Sequence, residues 1–147
     1  MAIMDPAVIR DAAGIFGAQC VTVALEVMPS GVGTWEPLVD CGRQHTWLDA
    51  ETWAHLSVNL GAGELLMTSI QSEGTKQDFD FTLADRLLGN IKVPGLLHGS
   101  AGRSVDIVEV ASRSYSGEVI ASILHYGLAT KAEIKEKLLK ANIEVRT

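Results

Sequence analysis

The chain has 147 residues, 47% of them hydrophobic, with a mean hydropathy of +0.19 and a formal net charge of −6. That length suits one domain, residues 1–147, with a sizeable core. The acidic balance argues against nucleic acid as a partner, because phosphate backbones are held by clustered Lys and Arg. No apolar run approaches the roughly 18 residues of a membrane helix, and residues 1–4 lack the shape of a signal peptide. Cys20 and Cys41 have no metal-ligand spacing. Two lone thiols suit a reducing, cytoplasmic setting, with Cys20 a small core residue at the start of a strand.

Asp5 and Pro6 read as an N-cap followed by proline at the first helical position. Val8, Ile9, Ala12, Ala13 and Phe16 then recur at helical spacing until Gly17 stops the helix. Residues 20–27 (CVTVALEV) form a β-branched strand that carries one carboxylate, Glu26. Residues 28–46 contain Gly and Pro and read as irregular, either a mobile loop or a loop holding a short strand at 35–41. A second helix over 49–60 places Ala50, Trp53, Leu56 and Leu60 on one side.

The stretch GAGELLMTSIQSEGT at 61–75 organises the middle of the chain. Its first glycines close the preceding helix. The uncharged run at 65–70 suits a strand buried on both faces, and 71–75 breaks into a polar loop. A third helix over 79–90 carries Phe79, Leu83 and Leu87 at i, i+4 and i+8. A third strand at 93–98, a fourth helix at 103–112 and a fourth strand at 117–122 follow. Thr130 and Glu133 form a capping box that opens the last helix, with Ile134 and Leu138 inward. One helix followed by four strand–helix units predicts parallel strands, in a small doubly wound sheet or in half of an eight-stranded barrel.

In such folds chemistry sits in the loops beyond the carboxyl ends of the strands. Glu26 and Glu73 stand there as acid–base candidates; the plainer reading is two solvated carboxylates. Gly74 and Thr75 share the loop of Glu73. Two further loops, 98–102 (His98, Gly99, Ser100, Ala101, Gly102) and Ala121–Ser122, follow strands and open helices. Unpaired N–H groups at such positions cradle phosphate, although a tight turn would look the same. His98 either binds phosphate or shuttles protons, or is simply tolerated. Trp35, Trp47 and Trp53 read as packing residues, and Asp106, Glu109, Arg113 and the 131–140 lysines as solvated helix faces.

Taken together, GAGELLMTSI at 61–70 with EGTK at 73–76, VPGLLHGSAG at 93–102, ASILHYG at 121–127 and ANIEVR at 141–146 are specific. They resemble the sixth strand and loop, the seventh strand and phosphate loop, the second phosphate segment and the tail of the cyclase subunit of imidazole-glycerol-phosphate synthase. The resemblance covers residues 5–146 and only the C-terminal half of that (βα)8 TIM barrel. It implies a half-barrel, a catalytic role for Glu26 and Glu73, and phosphate binding by Gly74, Thr75, residues 98–102, Ala121 and Ser122. It implies neither metal nor cofactor. Glu26 and Glu73 replace aspartates of the family, Gln71 replaces another acid, and His98 and Ser100 replace a serine and a glycine. Each Asp→Glu change displaces the carboxylate by a methylene, and about 1 Å of misplacement can cost on the order of a hundredfold in rate.

Side-chain parity turns the half-barrel into a statement about surfaces. If Glu26 faces the barrel interior, so do Thr22, Ala24, Leu66, Thr68, Leu96, His98, Val119 and Ala121. A lone half would leave Leu66, Leu96 and Val119 wet and the edges of strands one and four open, which proteins avoid. The expectation is a homo-oligomer, most simply a C2 dimer that closes the barrel by dimerisation. Other partners in view are a complementary half-barrel or a glutamine amidotransferase subunit, with a phosphorylated small molecule as ligand. Two functions remain: a phosphate-binding, cyclase-like lyase of histidine biosynthesis, complete only as an oligomer, or a non-catalytic half-barrel scaffold, natural or engineered, that keeps at most phosphate binding.

Overall fold

The computed structural model describes residues 2–72, 79–99, 101–113 and 115–146. Helix α1 (Ala7–Phe16) begins where Asp5 Oδ1 accepts the Ala7 N–H at 3.2 Å. It ends at Gly17, whose φ of +87° only glycine adopts freely. Only Ile9 of α1 is buried, and Phe16 is 65% exposed, against the expected inward face. The helix precedes the first parallel strand and meets the core along one narrow stripe. A 3₁₀ turn, Ala18–Cys20, follows, and it leaves Cys20 exposed rather than in the core, because the strand begins two residues later.

Strand β1 (Thr22–Gly31) is longer than its apolar run, and it turns into β2 (Thr34–Val39) and β3 (Gln44–His45) as an antiparallel hairpin. The stretch read as irregular is therefore an extension of the sheet. Helix α2 (Ala50–Asn59) is capped by Asp49, whose Oδ2 accepts from Thr52 N and Oγ1, both at 2.8 Å. Its buried stripe is Ala50, Trp53, Ala54 and Ser57, so Leu56 falls outside it and is 41% exposed. Strand β4 (Glu64–Ser69) starts beside the 3₁₀ turn. Any Cβ at Gly63 would collide with the Ala18 carbonyl there, so the approach requires glycine.

Helix α3 (Phe81–Leu88) is capped by Asp80 and buries Leu83 and Leu87, with Phe79 buried just ahead of it. Strand β5 (Gly95–His98), α4 (Ser104–Ala111), β6 (Gly117–Val119), the short α5 (Ser122–His125) and α6 (Lys131–Lys140) complete the chain. The capping box of α6 is formed in both directions: Thr130 N donates to Glu133 Oε2 at 2.7 Å, and Glu133 N donates to Thr130 Oγ1 at 3.2 Å.

The sheet runs β3-β2-β1-β4-β5-β6, and β1, β4, β5 and β6 are parallel neighbours in sequence order. A doubly wound sheet would reverse order partway; this one never does. Val23, Leu25, Val27, Leu65, Met67 and Leu97 share one core with the helices. Parity sends the alternate residues to the other face, where Ala24 and Val119 are exposed and Leu66 and Leu96 half-buried. All of this is an open half of a (βα)8 barrel. One expectation needs correcting: β2 pairs with Glu26–Gly31 of β1, so only the lower part of that edge, Thr22–Leu25, lacks the hairpin as a partner.

The two faces predict different costs for neighbouring leucines. Leu97→Ala, on the helix-covered face, should lower the urea-unfolding free energy by about 2–5 kcal/mol. Leu96→Ala, on the open face of the same strand, should cost clearly less in the dilute chain. Equal costs would contradict the assignment of faces.

Candidate functional site

Strand register lines up the open face in rows. Glu26 pairs with Thr68, Thr68 with His98 and His98 with Val119, so these four form the top row across β1, β4, β5 and β6. Ala24, Leu66, Leu96 and Gly117 form the row beneath, and Thr22 with Glu64 the next, joined by a 2.9 Å bond from Thr22 Oγ1 to Glu64 Oε1. Polar groups thus collect towards the carboxyl ends of the strands above an apolar row, the arrangement in which barrels place chemistry. Thr68 Oγ1 lies 3.1 Å from His98 Nδ1 and fixes the imidazole ring. Glu26 also borders a cavity of about 230 Å³ that it shares with Ile3, Leu38 and Asp40.

The loop after β5 is built differently from a simple anion cradle. Asp106 is 3% exposed beneath it, not solvated as its place in the sequence suggested. Its Oδ2 accepts the N–H groups of Gly102 at 3.1 Å and Arg103 at 2.7 Å, and its Oδ1 meets Arg103 Nε at 3.1 Å and Nη2 at 2.9 Å. The chain's own carboxylate therefore fills part of the N-terminus of α4, where a free anion would bind. The Ala101 N–H turns back to the Gly99 carbonyl at 3.1 Å. Ala121 and Ser122 open α5 with no side-chain cap.

Glu118 pairs with Leu97 in the register, so it points into the helix-covered side. Burial first, and the nearby Asp106 charge second, push its pKa from the ordinary 4.5 to about 8. Its Oε2 has no hydrogen-bond partner among the described residues. The sequence marked neither Thr68 nor Asp106 as part of the site. Period-two parity placed Thr68 on the face but could not name its bond; Asp106 read only as one charge of a solvated helix face, because its position at N3 of α4 depends on where that helix starts. Glu73, Gly74, Thr75 and Ser100 lie outside the described residues. Of the expected site residues, Glu26 and His98 meet on one row, and Gly99, Ala101, Gly102, Ala121 and Ser122 border the strand ends just beyond it.

Fold and site together define a half-barrel of the (βα)8 class, with its polar row at the carboxyl ends of the strands. A family model described as histidine biosynthesis protein matches residues 1–130, and the chain belongs to that family. Among curated proteins it is 38% identical over 146 residues to the imidazole glycerol phosphate synthase subunit HisF of Bacillus cereus strain AH187, covering 99% of this chain and 58% of that subunit. The HisF subunits of strains G9842 and Q1 match with the same identity and coverage. The chain thus spans less than two thirds of the length of these relatives. Among the described residues no helix is long and apolar enough to cross a membrane, and no cluster of His, Cys, Asp and Glu has the geometry to hold a metal.

Glu118 gives the site's surroundings a pH signature. Its folded pKa is raised, so between pH about 4.5 and about 8 the folded chain holds a proton that the unfolded chain has released. Stability should therefore fall as pH rises through that window and level off above it. Urea midpoints of Glu118→Gln should lose this slope and exceed those of the parent at alkaline pH. An unchanged slope would place the titration elsewhere.

Proposed function

We propose that this chain is a phosphate-binding, cyclase-type half-barrel of histidine biosynthesis whose site is complete only when a second half-barrel closes over its open face. The observation that carries this reading is the row of half-buried Leu66 and Leu96, on the face away from the helices, beneath Glu26, Thr68 and His98. In a closed barrel these positions are interior. Completing the burial of a Leu or Val is worth up to about 1.5–3 kcal/mol each; Leu66 and Leu96 are already half-buried, so each yields the lower part of that range. β1 and β6 bound the parallel part of the sheet on its two sides; the outer edge of β6 and the lower edge of β1, below its pairing with β2, are the edges that closure would use.

The simplest second half is another copy of the chain, related by a twofold axis. A complementary half-barrel would serve equally, and the HisF relatives are named as subunits of a synthase, which supports a further partner such as a glutamine amidotransferase. Glu26 and Glu73 are the acid–base residues of the reading. A phosphorylated ligand is held by Gly74, Thr75, residues 98–102, Ala121 and Ser122, and the protein works in the cytoplasm. One observation favours a second reading, a non-catalytic scaffold. Asp106 occupies the Gly102 and Arg103 N–H groups, so an anion would face a fixed negative charge directly behind the loop.

Light scattering tests assembly first. A dimer mass at micromolar concentration is expected, with Leu96→Glu returning it to a monomer; a stable parent monomer would overturn closure by a second copy. Phosphate titration followed by amide NMR should shift Gly99, Ala101, Ala121 and Ser122, and silence at both loops would leave only the scaffold. Asp106→Asn should strengthen phosphate binding if the loop is the site. Any cyclase turnover should vanish in Glu26→Gln while phosphate affinity stays unchanged; persistence of turnover would assign it to other residues.

A further inference from the structure

Beyond Glu26, β1 continues into the hairpin, and the hairpin carries a second recess that the half-barrel reading does not use. A cavity of about 490 Å³ lies there, bordered by Pro29, Trp35, Glu36, His45, Trp47 and Asp49 among others. Pro29 is three residues past Glu26, so the recess begins about 10 Å further along the strand.

Its construction spends stability to hold an aromatic ring in the open. Glu36 is 4% exposed, and its Oε1 accepts the N–H groups of Thr46 at 2.6 Å and Trp47 at 2.5 Å. Its Oε2 meets His45 Nδ1 at 3.0 Å, and this bond is the chief reason its pKa is lowered. Trp47 adopts φ +61°, a left-handed conformation that bulky L-residues avoid. The indole nevertheless stays 84% exposed, stacked on His45 with ring centroids 5.1 Å apart and planes 20° apart. A residue read as a packing tryptophan is instead presented to solvent by a buried carboxylate.

The chemistry of the lining selects the ligand. Trp35 and Trp47 contribute indole surface, and Glu36 and Asp49 contribute carboxylates. No Lys or Arg is among the lining residues. Phosphates and carboxylates are repelled here, whereas indole faces attract cations within about 6 Å of the ring centroid. The chain's net charge of −6 acts in the same direction. The geometry points to a binding site for a small organic cation, an alkylammonium group held against Trp35 and Trp47 with Asp49 as its counter-charge. Its preference is opposite in sign to that of the phosphate loops, so it stands or falls independently of them.

Titrating the full ¹⁵N-labelled chain with tetramethylammonium chloride, against sodium chloride at matched ionic strength, tests this through the indole N–H signals. Trp35 and Trp47 should shift saturably in the millimolar range, with Trp53, on the buried face of α2, silent. Trp47→Ala should weaken binding by about tenfold or more, and Trp47→Phe, which keeps a ring face, by less. Asp49→Asn, which preserves the cap of α2, should also weaken it. Methyl glucoside and inorganic phosphate should leave both indoles unmoved. A response no larger than that to sodium chloride, equal affinity in Trp47→Ala, or a stronger response to the glucoside or to phosphate would overturn the proposal.

Discussion

The constraint on which everything else depends is that four parallel strands run as neighbours in sequence order, with their helices on one side. Right-handed crossovers between adjacent strands must all cover the same face. Helix burial therefore falls on Val23, Leu25, Leu65, Met67 and Leu97 and leaves the alternate residues on the face away from the helices, where Leu66 and Leu96 are half-buried and Ala24 and Val119 exposed. The period of two along each strand then aligns those residues in rows. Glu26, Thr68 and His98 stand side by side because register and parity leave them no other place. The same rule that builds the core thus builds the polar row and exposes the apolar one beneath it.

Electrostatics modify this frame at the site's edge. Asp106 closes the N-terminus of α4 from within and satisfies two amides that an anion would otherwise use. Its charge reaches across to the half-buried Glu118, whose Oε2 has no hydrogen-bond partner among the described residues and whose pKa is raised to about 8. Asp106, paired with the Arg103 guanidinium, takes up amides that the glycines of the loop would otherwise offer, while protonated Glu118 adds no charge at neutral pH. At the other end, the hairpin uses Glu36 in the opposite manner. Three donors hold that carboxylate ionised, and it in turn fixes the loop carrying His45 and Trp47.

Much of the fold was legible in the residues themselves. Glycine stops, the Thr130–Glu133 box and the apolar strand runs located most elements, because these signals act within a few residues of chain. Motif resemblance extended this to the family, which the match over residues 1–130 shows. Parity also placed Glu26, Leu66, Thr68, Leu96, His98 and Val119 on one face of the sheet, although Ala121 lies past the end of β6. The errors arose where distant neighbours decide. Phe16 and Leu56 have helical spacing but lie outside the buried stripes, since spacing gives a stripe's period and not its rotation towards the core. Cys20 and Trp47 are apolar by composition yet sit at a turn and in a left-handed loop, where nothing covers them.

The sequence by itself determined the succession of parallel strands and helices and the alternation of faces, which are properties of local spacing, while its motifs carried the resemblance to the family. Only the tertiary structure decided that residues 28–46 continue the sheet as a hairpin, that Asp106 fills its own helix terminus, and that Thr68 holds His98. Each of these is a contact between groups whose partners are chosen by strand pairing or by burial. A carboxylate three residues into a helix reads alike in sequence whether it faces water or a loop; packing against β6 settles the difference, because burial makes the Gly102 and Arg103 N–H groups its strongest available partners.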